Sequence, residues 1–325
     1  MSPDSRTTLT AEQAQDFQRR FDAIVSNVET FIQGKDAVVR LALTAMLAEG
    51  HLLLEDVPGL GKTSLARTLS STLGLTNSRI QFTPDLLPSD VTGVTIYHQH
   101  SGEFEFHPGP IFSNIVLADE INRASPKTQS ALLEVMAERT VTVDGNTREV
   151  PRPFLVIATQ NPVDMDGTFP LPEAQLDRFL MRISVGYPDR TAEENILKNA
   201  HIGRKIDDVT PVCGPGEVLE LIRSAQRVHV ADALFSYVVA VTEATRNHPG
   251  IRLGASPRGG LGLISAARVW AASQGRHYVV PDDVVALTTS VLTHRLVLSP
   301  ESLADGVSGF ELLRNAAGTV PIPQG

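Results

Sequence analysis

The feature that most constrains this chain is the segment Asp56-Val-Pro-Gly-Leu-Gly-Lys-Thr-Ser64, which follows a short apolar run and leads into a helical pattern. Glycines in such a segment let backbone N–H groups converge on phosphate oxygens, a lysine reaches the β and γ phosphates, and a hydroxyl binds magnesium. The strict motif begins with glycine, and this chain has Asp56 there. The alternative is an ordinary glycine-rich turn between a strand and a helix. We predict a phosphate-binding loop made of Asp56, Val57, Pro58, Gly59, Leu60, Gly61, Lys62, Thr63 and Ser64.

Two further polar groups follow apolar runs. Asp119 and Glu120 end the run that begins at Asn114, and Asn161 follows the run Phe154–Thr159. Asp119 can hold magnesium together with Thr63, and Glu120 can orient or deprotonate the attacking water. An amide at Asn161 can position that water. Acids in loops are usually only solvated, but with a phosphate loop they predict hydrolysis of ATP in the presence of Mg²⁺.

Short apolar runs alternate with helical patterns through the first part of the chain, which predicts an α/β fold with a parallel sheet. The predicted strands are His51–Glu55, Arg79–Phe82, Asn114–Ala118, Phe154–Thr159 and Leu180–Val185. The predicted helices are two between Phe17 and Glu49, then Thr63–Leu73, Ser125–Glu138 and Pro172–Phe179. Two β-hairpins interrupt this rhythm, Val94–Tyr97 with Glu103–His107 and Thr140–Val143 with Thr147–Val150, the second around Asp144-Gly145.

Strand signals stop after Tyr187-Pro188, so we place a domain boundary near residue 190. We predict a flexible N-terminus over residues 1–16 and an α/β ATPase core over 17–190. A small all-helical lid domain follows over 191–314. The tail, 315–325, contains Pro321 and Pro323 and is predicted to be disordered.

Composition excludes several classes of protein. The single cysteine, Cys213, forbids an intrachain disulfide. The most apolar stretch, 37–54, is interrupted by Arg40 and Glu49, and the first twenty residues lack an apolar signal segment. We therefore expect a cytoplasmic protein without a membrane partner. The formal net charge of −9 argues against nucleic acid as a partner. The nine histidines show no ligand pattern, so we expect no metal beyond magnesium.

These motifs, in this order, resemble the AAA+ ATPases and closely the MoxR family. The resemblance covers roughly residues 17–298. Its most particular strings are Asp119-Glu-Ile-Asn-Arg-Ala-Ser-Pro126, Ala158-Thr-Gln-Asn-Pro162, Glu173-Ala-Gln-Leu-Asp-Arg-Phe179 and Ala255-Ser-Pro-Arg258. It implies a P-loop NTPase fold with a five-stranded parallel sheet and a small helical lid, in which the two hairpins match the insertions of this AAA+ branch. It also implies a hexameric ring with nucleotide bound between subunits.

The resemblance assigns roles to single positions. Lys62 and Thr63 correspond to Walker A, Asp119 and Glu120 to Walker B, and Asn161 to sensor 1. Arg178 corresponds to the arginine finger offered to a neighbour's ATP, Arg258 to sensor 2, and Gly34 lies in the adenine-side segment.

The residues themselves leave alternatives open for these arginines. Ser256 and Pro257 suit the start of a helix, which places Arg258 against the helix dipole, where a phosphate would be a fitting partner. The alternative is pairing with any acid. For Arg178 the alternative is an ion pair with Asp177 or Glu173. We expect structural roles for Arg123 and Arg295.

We therefore predict an ATP-hydrolysing, chaperone-like remodeller that acts on a protein partner. By resemblance, that partner carries a von Willebrand factor A domain, and the work is maturation of, or metal or cofactor insertion into, another complex. One alternative is a nucleic-acid motor, whose hairpins should present Lys or Arg at their tips. The first hairpin has none and the second has only Arg148. Another alternative is a nucleotide-gated binding module without turnover, which would need none of Glu120, Asn161 and Arg178.

Overall fold

The computed structural model of the chain describes residues 8–56, 60–100, 102–161, 167–203 and 206–323. Its strands are β1 (Leu52–Glu55), β2 (Asn77–Gln81), β3 (Gly93–His98), β4 (Glu103–Pro108), β5 (Ile115–Asp119), β6 (Thr140–Val143), β7 (Asn146–Glu149), β8 (Leu155–Gln160), β9 (Met181–Ile183), β10 (Ile251–Leu253) and β11 (Val297–Leu298). Five of them form a parallel sheet in the order β2-β5-β8-β1-β9. This confirms the predicted parallel α/β sheet.

The helices pack on both faces of this sheet and continue beyond it. They are α1 (Ala11–Glu29), α2 (Asp36–Leu47), α3 (Lys62–Thr72), α4 (Pro88–Thr92), α5 (Pro126–Glu138), α6 (Glu173–Leu176), α7 (Arg190–Ile202), α8 (Pro215–Gln226), α9 (Asp232–Arg246), α10 (Pro257–Ser273), α11 (Pro281–Leu292), α12 (Pro300–Ala304) and α13 (Gly309–Gly318). The helix predicted over Pro172–Phe179 is only the four residues of α6. Within the described residues, no helix combines the length and the hydrophobicity that a membrane crossing requires.

Both predicted hairpins are present. β3 pairs with β4, and β6 pairs with β7, each in antiparallel register. The second turns at Asp144 and Gly145, which both have positive φ angles of 51° and 76°. This is the geometry that favours Asp-Gly in a two-residue turn.

The central strands bury alternate residues on opposite faces, as the period of two requires. Leu117 and Ile157 face a cluster that contains residues from α1, α2, α3, α8, α9, α10 and α11. Val116 and Val156 face a second cluster with α5. Because the first cluster includes side chains from both sides of residue 190, one continuous apolar core links the sheet to the helical part of the chain.

The predicted flexible N-terminus is wrong for the residues that the structure describes. Helix α1 begins at Ala11, and Thr10 and Gln13 form a reciprocal capping box. Leu9 is only 2% exposed and joins the core. A cap and one apolar anchor are enough to order this end, because they satisfy the free N–H groups of the first turn.

The predicted disordered tail is also wrong in part. Helix α13 continues to Gly318, and Ser308 and Glu311 form its capping box. Ala316 is buried, and Val320 packs against the core. The two prolines follow the helix and do not prevent it, since proline restricts mainly its own residue and the one before it.

The lid is helical with one addition. Strands β10 and β11 form a small antiparallel pair, in which Ile251 lies opposite Leu298. The predicted helical lid is therefore confirmed, and this short pair of strands is an addition that the sequence did not indicate. Strands of three and two residues are too short to show the alternation by which a strand is recognised in a sequence.

Two buried histidines are held in the neutral state. His51 Nδ1 accepts a hydrogen bond of 3.0 Å from the Val156 N–H, so its Nε2 carries the proton and donates to Met136 O, also at 3.0 Å. Burial lowers the pKa of His51 to about 4, and the charges of Arg139 and Arg258 act in the same direction. Burial, with the neighbouring charge of Arg295, lowers the pKa of His294 to about 3.

We expect these histidines to make the protein acid-sensitive. In the unfolded chain each binds a proton as the pH falls below about 6.5, whereas in the folded chain each stays neutral until about pH 4 or 3. Their stabilising contribution is therefore complete above about pH 6.5 and is lost as the pH falls towards 4. Together they should lower the free energy of unfolding by roughly 5 kcal/mol at pH 4.5.

Urea unfolding at a series of pH values measures this loss. His294→Gln should lose roughly 2.5 kcal/mol less than the unmodified protein between neutral pH and pH 4.5, each measured against its own stability at neutral pH. The exposed His100→Gln is the matched control and should keep the full loss. An unchanged pH dependence in His294→Gln would contradict the assignment.

Candidate nucleotide-binding site

The carboxyl ends of β1, β5 and β8 meet at one edge of the sheet and border a cleft of about 430 Å³. The cleft is lined by Gly61, Lys62, Thr63, Ser64, Arg79, Gln81, Asp119, Glu120 and Asn161. Residues from three separate predicted motifs therefore come together. The predicted loop residues Val57, Pro58 and Gly59 lie outside the described residues.

The amino end of α3 points into this cleft. Gly61 caps the helix with a positive φ of 80°, a conformation that glycine adopts without cost, and Lys62 and Thr63 begin the helix. Free N–H groups and the helix dipole favour an anion at this point. The Lys62 side chain is buried, and its Nζ donates a 2.7 Å hydrogen bond to Asp56 O. Burial lowers the pKa of Lys62, against the raising effect of Asp56, Asp119 and Glu120.

Asp56 has a structural use that a glycine could not supply. Its Oδ2 accepts hydrogen bonds from Ser184 Oγ at 2.9 Å and from the Gly186 N–H at 2.7 Å. These two groups follow β9, the strand beside β1. The departure from the strict motif therefore ties the start of the phosphate loop to the segment after the edge strand.

Asp119 lies at the end of β5 with its side chain 15% exposed. Its Oδ1 accepts a 2.7 Å hydrogen bond from Thr159 Oγ1, and its Oδ2 accepts two from Arg79, at 2.7 and 3.2 Å. Thr159 Oγ1 also accepts a hydrogen bond of 2.8 Å from the Glu120 N–H. One hydroxyl thus aligns both predicted Walker B residues.

Glu120 has a left-handed backbone conformation, with φ of 56°. For a residue other than glycine this costs about 1–3 kcal/mol and is kept where the surroundings fix it. Its Oε2 accepts a 3.1 Å hydrogen bond from Gln81 Nε2 and forms an ion pair of 3.1 Å with Arg123 Nε. Arg123, which was expected to be structural, thus contacts the predicted catalytic carboxylate.

Arg79 and Gln81 were missed by the sequence reasoning. They occupy alternate positions on β2, and the register places Gln81 directly opposite Asp119. The available signal was the spacing of two in this strand, which puts both side chains on one face. The sequence does not show that β2 pairs with β5, so it could not show that the side chains of Arg79 and Gln81 lie beside Asp119.

A second cavity, of about 260 Å³, adjoins the cleft and shares Gly61 and Ser64 with it. Ile32, Gln33 and Lys35 line it. Gly34, predicted on the adenine side, is not among the described residues that line this cavity. It turns with a φ of 69°, and a Cβ there would lie 3.0 Å from Ala192 Cβ. Gly34 therefore allows the turn that places Gln33 and Lys35 at the cavity.

Arg178 and Arg258 do not line the cleft. Arg178 precedes β9, at the amino edge of the sheet, and its Nη1 donates to Leu133 O at 2.8 Å. Arg258 follows the cap Ser256 and the first helical residue Pro257, as predicted. Its charge lowers the pKa of His51, which directly precedes β1. Arg178 and His51 thus lie before the amino ends of β9 and β1, and the cleft lies at the carboxyl ends of the sheet, about 13 Å away along a strand of four residues.

The side-chain contacts of Arg178, Arg258 and Arg295 bear on the alternative roles that the sequence left open for these arginines. Asp177 binds Arg295 and accepts hydrogen bonds of 3.0 Å from Ser256 Oγ, so its partner is not Arg178. Among the described residues, Arg258 is exposed and forms no hydrogen bond or ion pair. Arg295 is buried and also donates to Val291 O and Phe179 O, which is the expected structural role.

Comparison with known proteins agrees with this geometry. The model of the ATPase family associated with various cellular activities (AAA) matches residues 51–181, and the AAA lid domain model matches residues 243–316. The chain is 45% identical to Chaperone MoxR1 of Mycobacterium tuberculosis, over 92% of this chain and 81% of that protein. It is 34% identical to Protein MoxR of Methylorubrum extorquens, over 90% of this chain and 92% of that protein. The chain belongs to the MoxR family of AAA+ ATPases.

Two further relatives extend this result. The uncharacterized protein YeaC of Bacillus subtilis is 48% identical to this MoxR-family chain, over 92% of the chain and 93% of the relative. The crystal structure of a candidate ATPase from Cytophaga hutchinsonii superimposes with a TM-score of 0.90 at 37% identity, covering 96% of this chain and 98% of that one. The fold of a MoxR-family AAA+ ATPase, with its parallel sheet and helical lid, is therefore shown over nearly the whole chain.

Proposed function

We propose that this MoxR-family protein is an Mg²⁺-dependent ATPase that works as a hexameric ring and remodels a protein partner. The observation that carries the proposal is the division of the predicted catalytic residues between two edges of the sheet. Lys62, Asp119, Glu120 and Asn161 border one cleft, whereas Arg178 and Arg258 do not line it: Arg178 precedes β9, and the charge of Arg258 acts on His51, which precedes β1. A subunit built in this way completes its ATP site only when a neighbour supplies the two arginines.

The residues of the cleft fit ATP hydrolysis. The amino end of α3 and the buried ammonium group of Lys62 are suited to hold phosphates, which would compensate the cost of burying that charge. Glu120 and Asn161 are suited to activate and position water. Thr63 and Asp119 offer the oxygen donors that Mg²⁺ prefers, and the bound ion would neutralise phosphate charge. Arg79 donates a hydrogen bond to Asp119 Oδ2, so its side chain would have to move before that oxygen could bind Mg²⁺.

A neighbour's arginines would complete the site. Arg178 is anchored to α5 through Leu133 O, and Arg258 stands at the start of α10 without a partner among the described residues. We propose that Arg178 acts as the arginine finger and Arg258 as sensor 2, both across the subunit interface. An exposed cation in the first turn of a helix is unfavourable alone and is stabilised by a phosphate.

The exposed surface of the β3–β4 hairpin favours a protein as the substrate. The β3–β4 hairpin exposes Tyr97 and Phe104, whose side chains are 52% and 74% exposed and whose ring centroids lie 5.0 Å apart. Exposed aromatic groups without Lys or Arg suit polypeptide better than phosphate backbone. One relative is named a chaperone. We propose that the protein is cytoplasmic and that its partner carries a von Willebrand factor A domain, with the work being maturation of, or metal or cofactor insertion into, another complex.

Ring assembly tests this proposal. Glu120→Gln with ATP should shift from monomer to a particle of about 210 kDa, six times the 35.1-kDa chain, because bound γ-phosphate gives Arg178 of the neighbour its partner. ADP should not produce this shift. Light scattering measures the mass, and Glu120→Gln combined with Arg178→Ala is the control that should assemble less. A monomeric mass with ATP at all protein concentrations would overturn the ring.

A further inference from the structure

The β3–β4 hairpin carries a cluster of side chains that the ATPase site does not use. His98, Glu105 and His107 each place one potential ligand atom within 4.8 Å of the others. The sequence suggested no such group among its nine histidines. The hairpin register creates it, because Val94 lies opposite His107 and Ile96 opposite Glu105, which brings His98 and both β4 side chains onto one face.

The distances fit one small metal ion. His98 Nε2 lies 2.8 Å from Glu105 Oε2, and His107 Nε2 lies 3.9 Å from the same oxygen. Ligand atoms about 2.1 Å from a tetrahedral ion lie about 3.4 Å from each other. These two separations fall on either side of this value, and all three atoms lie within 4.8 Å of one another, so side-chain rotations could bring them to bonding distance around one ion.

The donor set selects a class of metal. Two imidazoles and one carboxylate suit Zn²⁺ and neighbouring transition-metal ions such as Co²⁺ and Ni²⁺, whereas Mg²⁺ and Ca²⁺ prefer oxygen donors alone. All three side chains are about half exposed, at 45%, 63% and 49%. Three protein ligands on an open face leave a coordination position for water or for a side chain of another protein.

We propose that the β3–β4 hairpin of this protein binds one divalent transition-metal ion of the zinc class through His98, Glu105 and His107. The ion would cross-link the two strands, and its open position would face solvent beside Val94 and Ile96, which are exposed on the same face of the hairpin. A hairpin of two strands is only marginally stable by itself, so such a cross-link would rigidify it. This site is separate from the Mg²⁺ ligands proposed at the ATP cleft and does not depend on ATPase activity.

The hairpin supplies its own matched controls. His100 lies in the turn of the same hairpin, and Glu103 lies on the same face as Glu105, but neither belongs to the cluster. His98→Ala, His107→Ala and Glu105→Gln should weaken Zn²⁺ binding by about 100-fold or more, since even altering groups that only support metal ligands costs 10- to 100-fold. His100→Ala and Glu103→Gln should keep it.

The experiment is a titration of the full, untagged chain with Zn²⁺ in the absence of nucleotide, in which calorimetry measures the heat of binding. Co²⁺ absorption provides an independent spectroscopic signal for tetrahedral nitrogen and oxygen coordination. About one ion per chain is expected, and Asp119→Asn, which removes one of the two carboxylates of the ATP cleft, should leave that stoichiometry unchanged. Circular dichroism checks that each variant is folded.

Two results would overturn the proposal. One is the absence of saturable Zn²⁺ binding, in which case the cluster is only a surface ion pair between His98 and Glu105. The other is binding that His98→Ala and His107→Ala leave intact, or that His100→Ala reduces equally. A protein that binds no Zn²⁺ yet hydrolyses ATP would refute this site while leaving the proposed function untouched.

Discussion

Arg178→Ala is expected to lower ATP turnover by about 10³- to 10⁵-fold while ATP binding persists. An arginine finger stabilises the charge that develops on the transferred phosphoryl group, so its loss affects the rate far more than the binding. Arg178 precedes β9 at the amino edge of the sheet, donates to Leu133 O and is not among the described residues that line the cleft of its own subunit. Phosphate release measures the rate. The exposed Arg190→Ala, 94% exposed in its side chain, is the matched control and should retain activity.

A mixing experiment separates action on a neighbour from action within one subunit. Arg178→Ala subunits keep an intact ATP site, and Glu120→Gln subunits keep an intact finger. Mixing the two inactive variants should therefore restore turnover, with a maximum at intermediate ratios. A finger that acts within its own subunit predicts no gain at any ratio.

A dilution series provides the control for this mixing experiment. Strict coordination around a ring would also suppress a gain, so specific activity of the unmodified protein is measured against protein concentration. Full activity in dilute, demonstrably monomeric protein would contradict the trans role of Arg178.

Lys62→Ala and Glu120→Gln are expected to impair ATP turnover in different ways. Lys62→Ala should abolish ATP binding, because this buried ammonium is the principal cation at the amino end of α3. Glu120→Gln should bind ATP and turn it over about 10²- to 10⁴-fold more slowly, the usual contribution of a general base. Equilibrium binding of a fluorescent ATP analogue and phosphate release distinguish the two effects.

The exposed α5 residues Lys127 and Glu134 provide matched controls for these two substitutions, as Lys127→Ala and Glu134→Gln. Both should behave like the unmodified protein. Near-normal turnover by Glu120→Gln would show that another group activates water. Normal ATP binding by Lys62→Ala would show that the phosphates lie elsewhere.

Much of the fold and of the cleft could be predicted from local patterns. The phosphate loop and the Asp119-Glu120 pair directly follow an apolar run of strand length, and Asn161 follows one after a single intervening residue, Gln160. Parallel strands bring their carboxyl ends to one edge of a sheet, so residues at the ends of consecutive strands converge. The cleft follows from that rule, and the structure places these groups around it.

The errors at the two ends have a common cause. Polar composition and prolines suggested disorder over residues 1–16 and 315–325, yet Leu9 and Val320 dock on the core and capping boxes start both α1 and α13. Whether a segment is ordered depends on the surface available for it to pack against. That surface is formed by distant parts of the chain and has no local signature.

Tertiary structure alone decided which side chains meet across strands and edges. Arg79 reaches Asp119 because β2 lies beside β5, and Asp56 reaches Gly186 because β9 lies beside β1. Likewise, His98 and His107 meet only because the hairpin register joins them. The sequence by itself determined the chemistry of the ATP cleft, since that chemistry lies in short contiguous motifs. Strand order and register determined the contacts between segments, because these depend on pairing between residues far apart in the chain.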